Sequence, residues 1–332
     1  MIHPDHNHAA QLSKDNLMDQ PLLSVIICVY NEEENIKPLN KWINDSLVGI
    51  NYEIVYVDDG STDSTIRQIR ELGDEKVVLV ELRKNFGQSS ALYAGIEQAK
   101  GEYMVTMDGD LQNDPSDIPM MLNLAIEHEW DLVAGIRKNR QDGMFLRKIP
   151  SKIANSIIRN STGVQIKDYG CTLKVFKSDL AKNIGLYGEL HRFIPVLASL
   201  EGARITQVDV KHHAREFGKS KYGINRTMKV IIDLLLVLFF KKYMQKPMHL
   251  FGTMGLLLAF VGLVINTYFL FQKIAGHEIW GKPMLLLGIL LVISGIQLIT
   301  VGIIADIQMR TYYESQNKRP YKIRKVHTFK GK

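Results

Sequence analysis

Residues Val105 to Pro115 read VTMDGDLQNDP, an apolar run that ends in two carboxylates, Asp108 and Asp110, followed by Gln112. The run predicts a β-strand, and α/β sheets bind their ligands just beyond the carboxyl ends of their strands. Carboxylate and amide oxygens at this spacing suit a hard divalent cation, Mg²⁺ or Mn²⁺, which in turn binds phosphate oxygens. A solvated turn would explain the same residues, so the neighbouring motifs decide between these interpretations.

Strands and helices alternate on both sides of this stretch. Apolar runs predict strands at 22–29, 52–57, 76–82, 102–107 and 131–136, with helices at 32–47, 64–72, 88–99 and 115–128. Such a series folds as an α/β protein, with a mostly parallel sheet and helices on both faces. Parallel strands end at one edge, so the segments at 30–33, 58–63 and 108–110 should converge on one acidic crevice.

Two common phosphate-binding motifs are missing. A dinucleotide-binding fold would have G-x-G-x-x-G after the first strand, where this chain has YNEE at 30–33. The sequence also lacks G-x-x-x-x-G-K-[ST], which excludes a P-loop. Three acidic strand ends therefore favour a metal-assisted site for a phosphorylated ligand.

The chain of 332 residues has a net charge of +6, but that charge is unevenly distributed. Residues 1–210 carry 22 basic and 30 acidic side chains, whereas 211–246 and 310–332 each carry a net +7. An acidic body argues against nucleic acid as a partner, and basic segments beside apolar ones indicate anionic membrane lipid. The two cysteines, Cys28 and Cys171, form no disulfide framework, which suits a cytosolic setting.

Two uncharged segments, 250–272 and 283–305, are each long enough to cross a bilayer as a helix, and their short connector predicts a two-helix transmembrane hairpin. Basic residues flank the hairpin, so both of its ends should be cytoplasmic. The preceding segment, 224–243, has a short apolar core between basic residues, which predicts an amphipathic helix in the membrane interface. An ordinary helix packed on the soluble domain is the alternative.

Six motifs in a fixed order carry a family resemblance. They are YNEEENI at 30–36, VDDGSTD at 57–63, RKNFGQSSAL at 83–92, MDGDLQNDP at 107–115, GCTLKVF at 170–176 and REFGKSKYG at 215–223. The set resembles the family 2 glycosyltransferases of GT-A (Rossmann-like) fold that charge polyprenyl phosphates, such as dolichol-phosphate mannose synthases and bacterial undecaprenyl-phosphate sugar transferases. The interfacial helix and the paired membrane helices resemble the bacterial members.

The resemblance implies a division of the chain. We expect a disordered N-terminal tail at 1–20, a cytosolic GT-A glycosyltransferase domain at 21–222, a juxtamembrane interfacial helix at 223–246, two transmembrane helices within 247–309 and a basic cytosolic tail at 310–332. The first residues lack the apolar segment of a cleavable signal peptide. The expected location is the inner (plasma) membrane, with two spans and with the catalytic domain and both termini in the cytoplasm.

The resemblance also implies roles for individual residues. The nucleotide-sugar site would comprise Tyr30, Glu32, Val57, Asp59, Asp108, Gly109, Asp110, Arg215 and Lys221. Asp110 and Gln112 would hold Mg²⁺ or Mn²⁺, and Arg215 and Lys221 would close over the donor diphosphate. Arg137 would lie near the donor phosphates or the acceptor. The family's usual proline two residues before the tyrosine is Cys28 in this chain.

The expected acceptor is a polyprenyl phosphate. A phosphate monoester has a second pKa of about 6, so it is largely anionic at neutral pH and needs orientation more than a strong base. Asp168 and Arg137 are the catalytic candidates, and Asp168 would orient the acceptor or contact the sugar unless it is a structural turn residue. Arg147, Ser151 and Lys152 could meet the lipid phosphate, although a solvated helix face would explain them too.

These observations predict an inverting, metal-dependent transferase that moves one sugar from a nucleotide donor to undecaprenyl phosphate at the cytosolic leaflet. UDP-glucose is the first expected donor, followed by GDP-mannose or another UDP-sugar, and the family resemblance implies a homo-oligomer, specifically a tetramer. One alternative is a processive polysaccharide synthase, whose Gln-x-x-Arg-Trp signature is absent from the sequence. The other is a non-catalytic, membrane-tethered nucleotide-binding scaffold, against which the intact acidic and basic motifs argue.

Overall fold

The structure is a computed structural model that describes residues 20–138, 158–160, 162–186, 188–215 and 246–315, with short stretches between 233 and 243. The chain divides into two compact units, residues 1–237 and 238–332. Four predicted site residues lie outside the described part, namely Arg147, Ser151, Lys152 and Lys221. The predicted tails also lie outside it, apart from Gln20 and residues 310–315.

The first unit contains a seven-stranded sheet with strand order β3-β2-β1-β4-β6-β5-β7. The strands are β1 (Leu23–Val29), β2 (Tyr52–Asp58), β3 (Val77–Glu81), β4 (Tyr103–Asp108), β5 (Leu132–Arg137), β6 (Lys174–Lys177) and β7 (Ile205–Val210). The helices are α1 (Ile36–Ser46), α2 (Thr65–Arg70), α3 (Gln88–Gln98), α4 (Ile118–Glu127), α5 (Ser178–Asn183) and α6 (Ile194–Leu200). Single 3₁₀ turns cover Pro115–Asp117 and Leu190–Phe193.

The predicted mostly parallel sheet is confirmed, with one strand reversed. β1 lies parallel to β2 and β4, β2 lies parallel to β3, and β5 lies parallel to β7. β6 is antiparallel to both of its neighbours, β4 and β5. The carboxyl ends of six strands therefore meet the amino end of β6 at one edge of the sheet. Neither β6 nor β7 was among the predicted strands.

Helices cover both faces of the sheet, as predicted. On one face, β1 side chains such as Val25 and Ile27 pack in a core with Leu39 of α1 and Leu122 of α4. Each such fully buried aliphatic side chain stabilises the fold by about 1.5–3 kcal/mol. On the other face, Gly95 brings α3 so close to β1 that a Cβ atom at this glycine would lie 2.5 Å from the Cγ2 atom of Ile26.

The helix predicted at 32–47 begins only at Ile36, so its predicted start was wrong. The backbone N–H groups of Asn31 and Glu32 donate to the hydroxyl oxygens of Ser61 and Thr65, each at 2.9 Å. Asn31 also has a φ angle of +52°, which a helix does not allow. The hydroxyl oxygens of Ser61 and Thr65 thus accept N–H groups that would otherwise belong to a helix. These hydrogen bonds connect the end of β1 to the segment that follows β2.

The second unit contains two long helices, α7 (Pro247–Ile274) and α8 (Pro283–Ser315). The segments Pro247–Ile274 and Pro283–Met309 have mean hydropathies of 2.1 and 2.5 and are long enough to cross a membrane. Two apolar helices at the predicted positions are confirmed as a candidate transmembrane hairpin. A Cβ atom at Gly255 would lie 2.6 Å from the Gly295 carbonyl oxygen, so the two backbones touch there.

The predicted interfacial helix is only partly described. Residues 233–234, 236–239 and 242–243 are helical. Leu234 and Val237 are buried, whereas Leu236 is exposed. A lipid-facing position for this helix stays a prediction.

Candidate active site

Asp108, the last residue of β4, joins three elements of the sheet edge. Its Oδ1 atom accepts a hydrogen bond from Nε2 of Gln88, the first residue of α3, at 2.8 Å. Its Oδ2 atom lies 3.0 Å from the hydroxyl of Thr172, just before β6. Burial, and after it the negative charge of Asp110, raises the pKa of Asp108 to about 7. The site therefore concentrates negative charge where few water molecules can screen it, and a bound cation would relieve that repulsion.

Gly109 allows the end of β4 to approach β1. A Cβ atom at this position would lie 2.7 Å from the Cγ1 atom of Val29, so any larger residue would push the strand ends apart. Cys28 pairs with Asp108 across the two strands, and its side chain is partly buried. Burial, followed by the charges of Asp108 and Asp59, raises the pKa of the Cys28 thiol, which keeps it protonated and unreactive at neutral pH.

Asp110 forms an ion pair with Arg215, with Oδ2 and Nη2 2.5 Å apart. The side chains of Asp110 and Arg215 are 8% and 20% exposed, so the pair is largely shielded from water. The other carboxylate oxygen of Asp110 accepts the Gln112 backbone N–H at 3.2 Å. The structure thus brings Arg215 beside the segment of Asp108, Asp110 and Gln112, although Arg215 is 105 residues away from Asp110 in the sequence.

The segment that carries Arg215 is fixed on the turn after β4. The His213 backbone N–H donates to the Gln112 carbonyl oxygen at 2.9 Å, and Asn113 forms a β-bridge with His212. His213 Nε2 also lies 3.0 Å from a carboxylate oxygen of the buried Asp114. Burial opposes ionisation of Asp114, but hydrogen bonds from Ser116 and His213 outweigh it and lower the pKa of Asp114. These contacts hold the start of the REFGKSKYG motif beside the acidic cluster.

Asp59 fixes the loop between β3 and α3. Its two carboxylate oxygens accept the backbone N–H groups of Phe86 at 2.7 Å and Gly87 at 2.9 Å. Gly87 has a φ angle of +91°, a conformation that glycine adopts without steric cost. Burial raises the pKa of Asp59 despite these hydrogen bonds. Asp59 therefore couples the second strand end to the amino end of α3.

Three further residues of the predicted nucleotide site lie at the ends of β1 and β2. Tyr30 and Glu32 are partly buried, and Glu32 accepts a hydrogen bond from the Asn35 side chain at 2.6 Å. Val57 is fully buried, and a Cβ atom at Gly95 of α3 would lie 2.9 Å from its Cγ2 atom. The Val57 side chain thus packs under α3, and its role in lining the nucleoside site stays a prediction.

Arg137 and Asp168 form a bidentate ion pair where β5 ends and the chain approaches β6. Nε and Nη2 of Arg137 lie 2.7 and 2.9 Å from the two carboxylate oxygens of Asp168, and both side chains are largely buried. The Gly170 backbone N–H also lies 3.2 Å from one of these oxygens. Because both oxygens accept hydrogen bonds, Asp168 is better suited to hold the guanidinium than to remove a proton.

Sequence reasoning missed several residues that support this site. Gln88 and Thr172 form hydrogen bonds with Asp108. Both lie within motifs quoted above, but neither was predicted as a site residue. Lys174 is 2% exposed, and its ammonium donates to the Cys171 carbonyl oxygen. The signal for Lys174 was a single lysine between Leu173 and Val175 in an otherwise apolar run.

The donor groups fit a divalent cation that shares its ligands with a phosphorylated substrate. In the described residues, His, Cys, Asp and Glu side chains form no group of three or more that could hold a metal ion alone. Mg²⁺ is commonly bound by one or two carboxylates together with substrate phosphates and water, and the acidic pair Asp108 and Asp110 matches that pattern. After burial, the charge of Asp110 is the next cause of the raised pKa of Asp108, and such an ion would offset this repulsion.

Comparison with solved structures identifies the fold. Glucosyl-3-phosphoglycerate synthase from Mycobacterium tuberculosis, in complex with Mn²⁺, UDP and phosphoglyceric acid, matches with a TM-score of 0.52 and 17% identity over 72% of this chain and 84% of its own. The same enzyme with Mg²⁺ and UDP gives a TM-score of 0.51 at 16% identity, over 72% of this chain and 84% of its own. At these identities the likeness shows a shared fold.

Comparison of sequences identifies the family. The profile of glycosyl transferase family 2 matches residues 24–185. The dodecaprenyl-phosphate galacturonate synthase of Rhizobium johnstonii is 46% identical over 92% of both chains. The undecaprenyl-phosphate 4-deoxy-4-formamido-L-arabinose transferase of Proteus mirabilis is 33% identical over 92% of this chain and 93% of its own. The chain therefore belongs to glycosyl transferase family 2, in its polyprenyl-phosphate branch.

Proposed function

We propose that this protein transfers one sugar, with inversion, from a nucleotide donor to a polyprenyl phosphate at the cytosolic face of the inner membrane. The observation that carries the proposal is the pairing of Asp110 with Arg215 beside Asp108. Asp110 can bind a metal ion and Arg215 can bind a diphosphate, and the two lie together at the carboxyl ends of the strands, where such folds bind their ligands. The full-length similarity to polyprenyl-phosphate transferases supports the same activity.

For the donor, we place a nucleotide-activated galacturonate first. The Rhizobium relative, whose name specifies galacturonate, shares 46% of its residues with this chain over 312 positions. UDP-glucose, the donor expected from the resemblance to bacterial family members, is the next candidate. The arabinose derivatives named for more distant relatives make a modified pentose the third.

The metal ion of the proposed mechanism is Mg²⁺ or Mn²⁺. Asp110 and Gln112 would hold it together with the donor diphosphate, and the bound ion would neutralise charge that develops on the leaving group. Asp108 remains fixed by Gln88 and Thr172, which suits it to orient the donor rather than to move with it. When the donor binds, Arg215 would leave the carboxylate oxygen of Asp110 and contact a phosphate oxygen instead, which is a charge-assisted hydrogen bond of the same kind.

The acceptor side of the proposed mechanism depends on Arg137. Asp168 holds its guanidinium in one orientation through two hydrogen bonds, and the fixed cation can attract the lipid phosphate. Asp168 thus acts as a positioning residue, since the acceptor phosphate is already anionic and needs no base. Arg147, Ser151 and Lys152 lie in the segment between these two partners and remain candidates for the same phosphate.

The membrane part of the proposal keeps the topology expected from the sequence. The basic segments at both ends of the hairpin support a cytoplasmic location for the catalytic unit and both termini, where nucleotide-sugars are made. Anionic lipids would meet the basic residues of 223–246. Assembly into a homo-oligomer is part of the proposal only through the family resemblance.

A donor and acceptor panel tests this function. The purified full-length protein would be incubated with radiolabelled UDP-galacturonate, UDP-glucose or GDP-mannose, undecaprenyl phosphate and Mn²⁺. Label in a chloroform-soluble product that carries one sugar per lipid is the expected result, and the anomeric configuration of the product checks inversion. Label in an insoluble polymer would support the processive synthase instead. Nucleotide binding without any transfer would support the scaffold.

A further inference from the structure

Lys174 is a buried lysine at the start of the strand that runs against the rest of the sheet. It pairs with Thr106 on β4 and with Ala134 on β5. Paired residues on neighbouring strands point to the same face, as do residues two apart along a strand. Lys174 therefore shares the α3 face with Asp108 and lies one step deeper in the sheet.

The charge of Lys174 lies behind the site without reaching its surface. The side chain is 2% exposed, and its ammonium donates to the Cys171 carbonyl oxygen. Burial lowers the pKa of Lys174 and the charge of Arg137 lowers it further, whereas the carboxylates of Asp168 and Asp108 favour the charged form. The turn between Lys174 and Asp168 also carries Thr172, whose hydroxyl contacts Asp108 at 3.0 Å. One buried cation is thus coupled to both halves of the candidate site.

The packing at this position would suit an apolar side chain. Leu173 and Val175, on either side of Lys174, are fully buried aliphatic residues. Removing the charge from a single residue, however, leaves the nearby carboxylates of Asp108 and Asp168 with less positive charge to offset them, which is destabilising. The lysine is therefore explained by its charge toward these carboxylates and not by the packing around it.

We propose that Lys174 is a positioning residue whose buried positive charge offsets Asp108 and thereby strengthens binding of the donor's anionic diphosphate. Its charge acts through a poorly screened interior, where interactions between ions extend further than in water. The inference rests on the proposed function, because it takes a nucleoside diphosphate as the ligand. It adds a residue that never touches that ligand.

The test compares Lys174→Gln and Lys174→Met with the parent and with Lys177→Gln in the full-length protein. Lys177 is a matched control, since it lies on the same strand beside Tyr103, at the opposite edge of the sheet, and its ammonium pairs with Asp131 at 3.1 Å. Calorimetric titration with UDP and with GDP in the presence of Mn²⁺ measures affinity, and thermal unfolding measures stability.

We expect both Lys174 variants to bind UDP about three- to tenfold more weakly than the parent, the effect of one poorly screened charge. Both variants should also lower the unfolding midpoint, because they leave Asp108 with less positive charge nearby, so affinity is measured at a temperature where each variant is folded. A purely structural lysine would lower the midpoint but leave the UDP affinity of the folded protein unchanged. Lys177→Gln should keep the parent's affinity. If Lys174→Met alone fails to fold, the affinity of Lys174→Gln decides.

Two results would overturn the inference while leaving the proposed function intact. One is a Lys174→Gln variant that binds UDP as tightly as the parent. The other is failure of both Lys174 variants to fold, which would make the lysine structural. A parent that binds neither UDP nor GDP contradicts the proposed function, and the inference falls with it.

Discussion

Replacing Arg215 by methionine should increase the affinity of the protein for Mn²⁺ when no nucleotide is present. In the structure, the Arg215 guanidinium lies 2.5 Å from a carboxylate oxygen of Asp110, the residue that we propose as a metal ligand. A metal ion that binds there has to displace the guanidinium first. The variant removes this competitor while keeping most of the side-chain volume.

The expected size of the effect follows from the geometry of the pair. Two unit charges about 4 Å apart attract by about 4 kcal/mol at an effective dielectric constant of about 20. The side chains are 20% and 8% exposed, so the cost of removing them from water cancels a large part of that energy. A net pairing energy of about 1–2 kcal/mol corresponds to a gain in Mn²⁺ affinity of about 5- to 30-fold.

The assay is a Mn²⁺ titration followed by electron paramagnetic resonance, without nucleotide and then with UDP. Without nucleotide, Arg215→Met should bind Mn²⁺ more tightly, and with UDP the order should reverse because the diphosphate has lost its cation. Lys211→Met is the control, since it removes a cation from the same segment but from a side chain that is 62% exposed. Equal or weaker Mn²⁺ binding by Arg215→Met without nucleotide would refute the displacement of Arg215 by the metal.

Three further predictions concern other parts of the molecule. Asp110→Asn should lower transfer by about 100-fold or more in a protein that stays folded, and activity that survives both this change and EDTA would exclude the metal site. The pKa of Asp108 is raised from 3.8 to about 7, so the folded state binds this proton more tightly than the unfolded state does. The ligand-free protein should therefore lose stability as the pH rises from about 4 to about 7, by at most about 4 kcal/mol. Unfolding midpoints measured across this pH range should show no such loss in Asp108→Asn. Gly255→Leu should separate α7 from α8 and lower the stability of the hairpin in a detergent titration by about 1–3 kcal/mol, whereas Met254→Leu, at a position that is 50% exposed, should have little effect.

The parts of the fold that sequence predicts well are those that local patterns determine. Apolar runs of five to seven residues between turn motifs predicted the first five strands. β1, β2, β4 and β5 are largely buried on both faces and need such a run, and the partly buried edge strand β3 also has one. The acidic residues after β2 and β4 could be assigned to one edge, since parallel strands end together. Two uncharged segments gave α7 and α8 by length alone.

The missed features all depend on tertiary contacts. β6 has only four residues, KVFK, and its lysines obscure the pattern of a buried strand. The late start of α1 requires acceptors that lie about 30 residues further along the chain. The partner of Arg215 is 105 residues away in the sequence, so no spacing rule finds it. A motif can thus identify the residues of a site without showing which of them form hydrogen bonds or ion pairs with each other.

The ion pair between Arg137 and Asp168 closes a long excursion of the chain. These residues are 31 positions apart, yet their side chains bond each other at 2.7 and 2.9 Å beside the site. Loop length adds little to the entropic cost of closing such an excursion, so its interior can change while its two ends stay in place. In evolutionary terms, substitutions between these two residues are therefore expected to be tolerated as long as the pair itself is kept. Arg137 and Asp168 mark the ends of a segment whose sequence can vary independently of the sheet that carries it.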